Sequence, residues 1–225
     1  MTLVPGLWAN SQGPLFQKLG NRFNIVNPCG LDTMEEREKL LIDHIEANPQ
    51  VETLIGHSAG CVLITETLKH LPDGMIKKII LMNSGPLAGV KFMPWDPTIM
   101  ATLPHLVEIL TGKPVAMSPS EAKNLFSLSD DEAEEMMPNL QADSGKFVWS
   151  TILRQYRRQE KFEASPSTEM VVVNAANDRI IGSTATKTTE FLTAARSSFR
   201  TKVVTLGYGH MWSLQNMDKV MQAAA

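Results

Sequence analysis

An α/β fold, with a parallel sheet flanked by helices and interrupted by a helical insertion, follows from three features of the sequence. Short apolar runs alternate with longer amphipathic stretches towards both ends of the chain. Turn-forming residues close most of the apolar runs. Between the two alternating regions lies a proline-rich stretch without strand-like runs. Such alternation is expected of βα units around a parallel sheet.

Leu3-Val4 is a strand stub ended by Pro5-Gly6, and Phe23 to Val26 is the next strand, closed by Asn27-Pro28. Thr33 to Asn48 reads as a helix. Thr33 is a good N-cap, Glu36 stands in capping-box register, and Leu40, Leu41 and Ile45 supply the apolar face. Glu52 to Ile55 is a strand that runs into Gly56-His57-Ser58-Ala59-Gly60, and Cys61 to His70 is a helix stopped before Pro72. Lys78 to Met82 is a further strand. From Gly85 onward prolines recur at 86, 94, 97, 104, 114, 119 and 138. Helices are expected there over Ile99 to Leu110, Ser118 to Leu125, Asp130 to Met136 and Lys146 to Arg158. The division is therefore a core of residues 1–84 and 167–225 and a helical cap of residues 85–166. The core resumes with a strand at Met170 to Asn174, a helix at Ser183 to Ala195 and a strand at Lys202 to Leu206.

The 225 residues suit one domain with a modest insertion. A chain of this size buries roughly 70% of its unfolded surface, so it needs no disulfide or metal for stability. A formal net charge of -3 without basic clusters argues against a nucleic-acid partner. The densest basic group, Arg154, Arg157 and Arg158, reads as a solvated helix face. Cys29 and Cys61 form neither a disulfide framework nor a zinc-ligand spacing. The first residues lack a charged n-region and a long apolar core, so no signal peptide is expected. No run approaches the ~18 apolar residues of a membrane span, and the cytoplasm is the default location. The sequence does not set the oligomeric state.

Gly56-His57-Ser58-Ala59-Gly60 matches G-x-S-x-G, a nucleophile elbow. A serine on such a turn needs positive φ and small neighbours, and the following helix N-terminus faces developing negative charge. The pentapeptide alone is weak, but it lies between an apolar strand and an apolar helix. A serine hydroxyl also needs a base, and the base needs an orienting acid. His57 is expected to point away from Ser58. His44 and His70 lie on expected surface helices, and His105 lies in the cap. His210, in the turn after the last strand, is the best base. Asp178, after the preceding strand, is the acid, although Asn-Asp pairs also close turns. The order Ser58, Asp178, His210 is the one expected with this elbow. Pro5-Gly6-Leu7-Trp8 follows the first strand, so the amides of Leu7 and Ala59 are candidate oxyanion donors.

On Pro5-Gly6-Leu7-Trp8, Gly56-His57-Ser58-Ala59-Gly60, Asn177-Asp178-Arg179 and Gly209-His210, the chain resembles the α/β-hydrolase family over nearly its whole length. The resemblance implies a mainly parallel sheet of about six strands, because the first hairpin of the family is missing. It also implies a helical cap after the sixth family strand and a triad without cofactor or metal. By position, Ser58 is the nucleophile, Asp178 the acid, His210 the base, and Leu7 and Ala59 the oxyanion donors. The chain departs from many relatives in having Pro-Gly where they have His-Gly. Serine at position 58 argues against the carboxylate-using dehalogenases and epoxide hydrolases.

Methionine and aromatic side chains make an adaptable apolar wall, so the expected substrate is an uncharged, largely apolar small-molecule ester, thioester or lactone of unspecified chain length. Trp8, Trp95, Met117, Met136, Trp149 and Met211 are the candidates for lining it. An esterase- or lipase-like hydrolase is the leading reading. A lactonase, a carbon-carbon bond hydrolase or a hydroxynitrile-lyase-like enzyme on the same triad is the alternative, with Lys91 as a weak lyase candidate. A receptor-like binder with slow turnover is a third reading.

Overall fold

The computed structural model describes residues 1–85, 102–126, 128–150, 167–178, 180, 200–207 and 209–225. Six strands form one sheet: β1 (Thr2–Val4), β2 (Asn24–Ile25), β3 (Thr53–His57), β4 (Lys78–Met82), β5 (Glu169–Ala175) and β6 (Arg200–Leu206). Their order is β2-β1-β3-β4-β5-β6, and every neighbouring pair is parallel.

The apolar runs are continuous because the sheet is covered on both faces. Leu54, Ile79 and Met170 lie in register and enter one core, while Ile55, Ile80 and Val171 lie in register and enter the other. On the first face, helix α2 (Met34–Ala47) contributes Leu41 and Ile45, and helix α3 (Ala59–Thr67) contributes Val62, Leu63 and Ile64. On the second face, helix α1 (Pro14–Gly20) contributes Phe16 and Leu19. Burying each large aliphatic or aromatic side chain contributes roughly 1.5–3 kcal/mol. The strand order reverses between β1 and β3. In an open parallel sheet the crevice at that switch point, beyond the carboxyl ends of the strands, is where ligands bind. Here β1 runs out into Pro5-Gly6 and β3 into Ser58.

The described part of the insertion is helical. It contains α4 (Leu106–Thr111), α5 (Pro119–Phe126), α6 (Asp130–Met136) and α7 (Gly145–Trp149). Gly112, at φ 68, closes α4 in the left-handed conformation. Ser129 and Glu132 form a capping box that opens α6. Ile109, Val115, Met117, Ala122, Phe126, Met136 and Val148 belong to the same apolar cluster as Leu3, Ile55 and Ile80. Two isolated antiparallel bridges, Ala9 with Leu140 and Val115 with Asp143, tie the segment to the loop after β1 and to itself.

Several elements differ from the sequence expectation. Helix α1 goes unanticipated because its seven residues bury only Phe16 and Leu19. The capping box of Thr33 and Glu36 forms as expected, but the buried face of α2 is Met34, Arg37, Leu41 and Ile45, and Leu40 is exposed. Helix α3 starts at Ala59 rather than Cys61 because Ser58 itself occupies the N-cap position. Two helices close the chain, α8 (Trp212–Gln215) and α9 (Met217–Ala224), and Met217, Val220 and Ala224 join the second core. The expected helix over 183–195, the start of the one from Ile99, most of the one ending at Arg158, and the Arg154, Arg157 and Arg158 group lie outside the described residues. No helix among the described residues is long and apolar enough to cross a membrane.

Candidate active site

Ser58 joins β3 to α3 with φ 54 and ψ -122. A non-glycine residue in such a sparsely populated region stores roughly 1–3 kcal/mol of strain. The turn is pinned by hydrogen bonds. The Ser58 amide donates to the Met82 carbonyl at 3.0 Å, and the Ser58 carbonyl accepts from Gly85 at 3.0 Å and Cys61 at 3.1 Å. Two glycines allow the packing around it. A Cβ on Gly60 would lie 2.1 Å from the Val4 carbonyl oxygen, so α3 crosses the end of β1 only because this position has no side chain. A Cβ on Gly6 would lie 2.7 Å from Ser58 Cβ and 3.2 Å from Ser58 Oγ. The loop after β1 thus passes directly against the serine side chain. Ser58 and Ala59 are half-buried at this junction.

Asp178 and His210 are brought together from the turns after β5 and β6. His210 Nδ1 lies 2.6 Å from Asp178 Oδ2, and both residues are buried. The other carboxylate oxygen, Oδ1, accepts from the Ile180 amide at 2.9 Å. An ionised carboxylate only accepts, so Nδ1 carries a proton, and in the neutral tautomer this leaves the lone pair on Nε2. The ring of Phe126, at the end of α5, stacks on His210 with centroids 5.9 Å apart and planes 8° apart.

Behind His210 lies a contact that sequence reasoning missed. Its backbone carbonyl accepts from His57 Nε2 at 3.0 Å and from Asn83 Nδ2 at 2.6 Å. The His57 ring is buried, 4.7 Å from that of His210. Burial, and next the neighbouring His210, hold the His57 ring well below the usual imidazole range, down to about 3. His44 is half-buried, and its Nε2 lies 3.0 Å from Thr2 Oγ1. His70 pairs with Glu38 at 3.4 Å, and His105 pairs with Glu121 at 3.0 Å.

The turn carrying Leu7 is held from the other side. Trp8, at φ 61, points its amide at Asp143 Oδ2, 3.4 Å away, and its indole Nε1 donates to the Val115 carbonyl at 3.1 Å. Asp143 is buried against Arg37, with Nη2 to Oδ1 at 2.6 Å. The guanidinium also donates to the Leu31 carbonyl at 3.1 Å and 2.7 Å and lies 3.3 Å over the Phe147 ring. Asp143 Oδ1 accepts further from the amides of Gly30 and Ser144, at 2.9 Å and 2.8 Å. The signal for this network was present in α2. Arg37 occupies the stripe between Met34 and Leu41 where an apolar residue is expected.

The candidate lining residues divide. Trp8, Met117 and Met136 are buried in the shared apolar cluster, and Met211 is buried directly after His210. Trp149 is 41% exposed and faces a hollow of about 400 Å³ bounded by Ile109, Leu110, Thr111, Gly112 and Lys146. No triad candidate lines that hollow. Trp95 and Lys91 lie outside the described residues. Burial pushes the thiols of Cys29 and Cys61 up to about 12, for Cys29 with Asp143 adding to the effect, so neither competes as a thiolate nucleophile. Among the described residues no group of three or more metal-ligating side chains assembles.

A profile of the alpha/beta hydrolase family matches residues 3–223. Solved structures of the same fold include a monoacylglycerol lipase of Paleococcus ferrophilus, at 19% identity and a TM-score of 0.61, covering 98% of this chain and 91% of that one. A putative aryl esterase from Burkholderia cenocepacia aligns at 13% identity and a TM-score of 0.62, over 99% and 86% of the two chains. The RedJ thioesterase of Streptomyces coelicolor aligns at 17% identity and a TM-score of 0.54, over 99% and 88%. Comparison with curated proteins returns no match.

Proposed function

Because the chain belongs to the alpha/beta hydrolase family, we propose that it is a serine hydrolase that cleaves an uncharged, largely apolar carboxylic ester by two-step acyl transfer. Ser58 is the nucleophile. His210 is the general base and then the general acid, and Asp178 orients it. The observation that carries this reading is the buried 2.6 Å pair of His210 and Asp178, together with a serine at φ 54 on the turn after β3. With Nδ1 engaged by Asp178, the Nε2 lone pair of His210 takes the Ser58 proton as Oγ attacks the carbonyl carbon. The oxyanion forms against the amides of Leu7 and Ala59. Gly6 brings Leu7 close to Ser58, and Ala59 opens α3 with its dipole directed at the developing charge. Removing one such donor typically costs about 3 kcal/mol of transition-state stabilisation. His210 then protonates the leaving alcohol, and water attacks the acyl-enzyme by the same route in reverse. The reaction as written uses no metal or organic cofactor.

Residues 85–166 serve as the cap over this site. Phe126, whose ring lies on His210, is a cap residue in contact with the chemistry in this reading. The lipase and esterase named above support the ester class by analogy. The test is hydrolysis of p-nitrophenyl acetate, butyrate, octanoate and palmitate, with Ser58→Ala as control. Turnover that disappears in the variant is expected, and the chain-length profile sizes the acyl pocket. Turnover that survives Ser58→Ala removes Ser58 from the mechanism.

A further inference from the structure

We infer that His57 and Asn83 are positioning residues for His210, clamping its backbone carbonyl so that the strand carrying the nucleophile also locates the base; this rests on the serine-hydrolase reading above. The His210 carbonyl accepts two hydrogen bonds, at 3.0 Å from His57 Nε2 and 2.6 Å from Asn83 Nδ2. A carbonyl oxygen has two lone pairs, and both are used. Neither donor belongs to the loop that carries His210. His57 ends β3, Asn83 follows β4, and both strands are interior to the sheet. His57 pairs in register with Met82. The Asn83 amide donates to the Val173 carbonyl of β5 at 2.8 Å, with Asn83 at φ 46, a conformation asparagine adopts more readily than most residues. Because His57 directly precedes Ser58, a displacement at the end of β3 carries nucleophile and base together.

The clamp also has a required chemical state. A carbonyl cannot donate, so the neutral His57 ring must carry its proton on Nε2. Protonation of the ring would place a second imidazolium 4.7 Å from the one His210 forms during catalysis. Burial, His210 and, in the opposite sense, Asp178 act on the His57 ring, and burial dominates to keep it neutral. His210 is thus fixed at three places: Nδ1 by Asp178, carbonyl by the clamp, and ring face by Phe126.

The experiment measures the rate at which a fluorophosphonate probe labels Ser58 across pH. That reaction needs nucleophile and base but no knowledge of the natural substrate. His57→Phe keeps a ring and removes the donor. His57→Gln returns an N–H near the position of Nε2. Asn83→Asp keeps the shape and replaces the donor with an oxygen. Displacing a base by a fraction of an ångström to an ångström costs up to a hundredfold, so His57→Phe and Asn83→Asp should label roughly 10- to 100-fold more slowly, with a shifted pH inflection. His57→Gln should recover most of the rate, and on any p-nitrophenyl ester turned over, kcat should fall with KM little moved. His57→Phe labelling within about twofold of wild type, with the same pH profile, overturns the inference. A loss that His57→Gln fails to recover overturns the donor role. Where a variant does not fold, the wild-type protein decides. Its ¹H–¹⁵N spectra should show His57 as the neutral Nε2–H tautomer throughout about pH 5–8. A His57 that titrates there, or holds its proton on Nδ1, overturns the clamp. Labelling that survives Ser58→Ala instead removes the serine-hydrolase reading, and the inference with it.

Discussion

On one side of the site, Ser58 and His210 sit among glycines, neutral hydrogen bonds and a stacked phenyl ring. On the other, the turn of Leu7 and Trp8 hangs from a buried ion pair, Arg37 with Asp143, whose acid comes from the inserted segment. The first side is fixed by contacts local to the carboxyl ends of the central strands: Gly6 against Ser58, and His57 and Asn83 on the His210 carbonyl. The second is fixed from the inserted segment, since Asp143 reaches both Arg37 of α2 and the Trp8 amide. The Gly6 contact and the two bonds to the His210 carbonyl set position with little dependence on charge, and only the His210 ring is held on this side by a carboxylate, Asp178. A buried ion pair holds only while both partners are present, because desolvation of either charge alone is uncompensated. The proposed nucleophile and the backbone of the proposed base therefore depend on the sheet, whereas the proposed oxyanion turn, like the Phe126 ring stacked on His210, depends on the insertion being folded in place.

The largest effect expected from this contrast follows Asp143→Ala. It leaves the Arg37 guanidinium buried without its carboxylate and should lower stability by about 3–5 kcal/mol, read by urea unfolding. The double variant Arg37→Met with Asp143→Leu removes both charges and should recover most of that loss, because a packed apolar pair is often as stable as a buried ionic one. It should still react slowly with the fluorophosphonate, since Trp8, Gly30 and Ser144 lose the carboxylate that orders their amides. A double variant with both stability and reactivity restored would mean that the ion pair does not position the turn.

Gly6→Ala probes the neutral side. Its added methyl would meet Ser58 Cβ at 2.7 Å, and over-packing of this kind costs roughly 1–3 kcal/mol. Because the intruding group touches the nucleophile itself, reactivity should fall more than stability does. Equal losses would point to a general loosening of β1.

The fold was legible in the sequence where both faces of a strand are buried, because β3, β4 and β5 then read as unbroken apolar runs between turn residues. The triad candidates were legible because each follows a strand and stands in a fixed order. The supporting residues were not. His57 sits inside the motif, but nothing in the sequence says that its ring meets a carbonyl far along the chain. Asn83 lies in an unremarkable Asn-Ser-Gly turn. Asp143 falls in a stretch with no periodicity, and its partner Arg37 was overlooked because Leu40, at 37% exposure, is more apolar but faces outward. Helix α1 escaped because two buried residues are too few to set a period. Local pattern reveals which residues are on an element, whereas long-range polar partners are chosen by the packed fold.

The pH dependence of stability separates the two sides further. The His57 imidazole is held at about 3 in the folded protein, against an ordinary value of 6.5. The folded-state value is the lower one, so the unfolded chain binds the extra proton first. Stability is unaffected by this residue above about pH 6.5 and is lost as the pH falls from there towards 3, with a slope near 1.4 kcal/mol per pH unit. His57→Gln should flatten that part of the profile in urea titrations between pH 6.5 and 4.5 without altering it above neutrality. An unchanged acid limb would mean that His57 is accessible to protons in the folded state.

The smallest predicted effect asks whether insertion and core are one cooperative unit. Each contains a helix opened by the same device, Thr33 with Glu36 in α2 and Ser129 with Glu132 in α6. Replacing either cap residue by alanine removes one side-chain acceptor for a helix N–H and should cost about 1 kcal/mol. Both caps are solvent-facing, so neither change disturbs packing. The insertion shares its apolar cluster with β1, β3 and β4, so Ser129→Ala should lower the global unfolding midpoint as much as Thr33→Ala does. Hydrogen exchange gives the finer reading. If the insertion opens on its own, Ser129→Ala accelerates exchange in α6 alone and leaves the sheet amides unchanged. Fluorophosphonate reactivity would then decline with that local opening, because the turn of Leu7 and Trp8 depends on Asp143 from the same segment, while Thr33→Ala would leave reactivity intact.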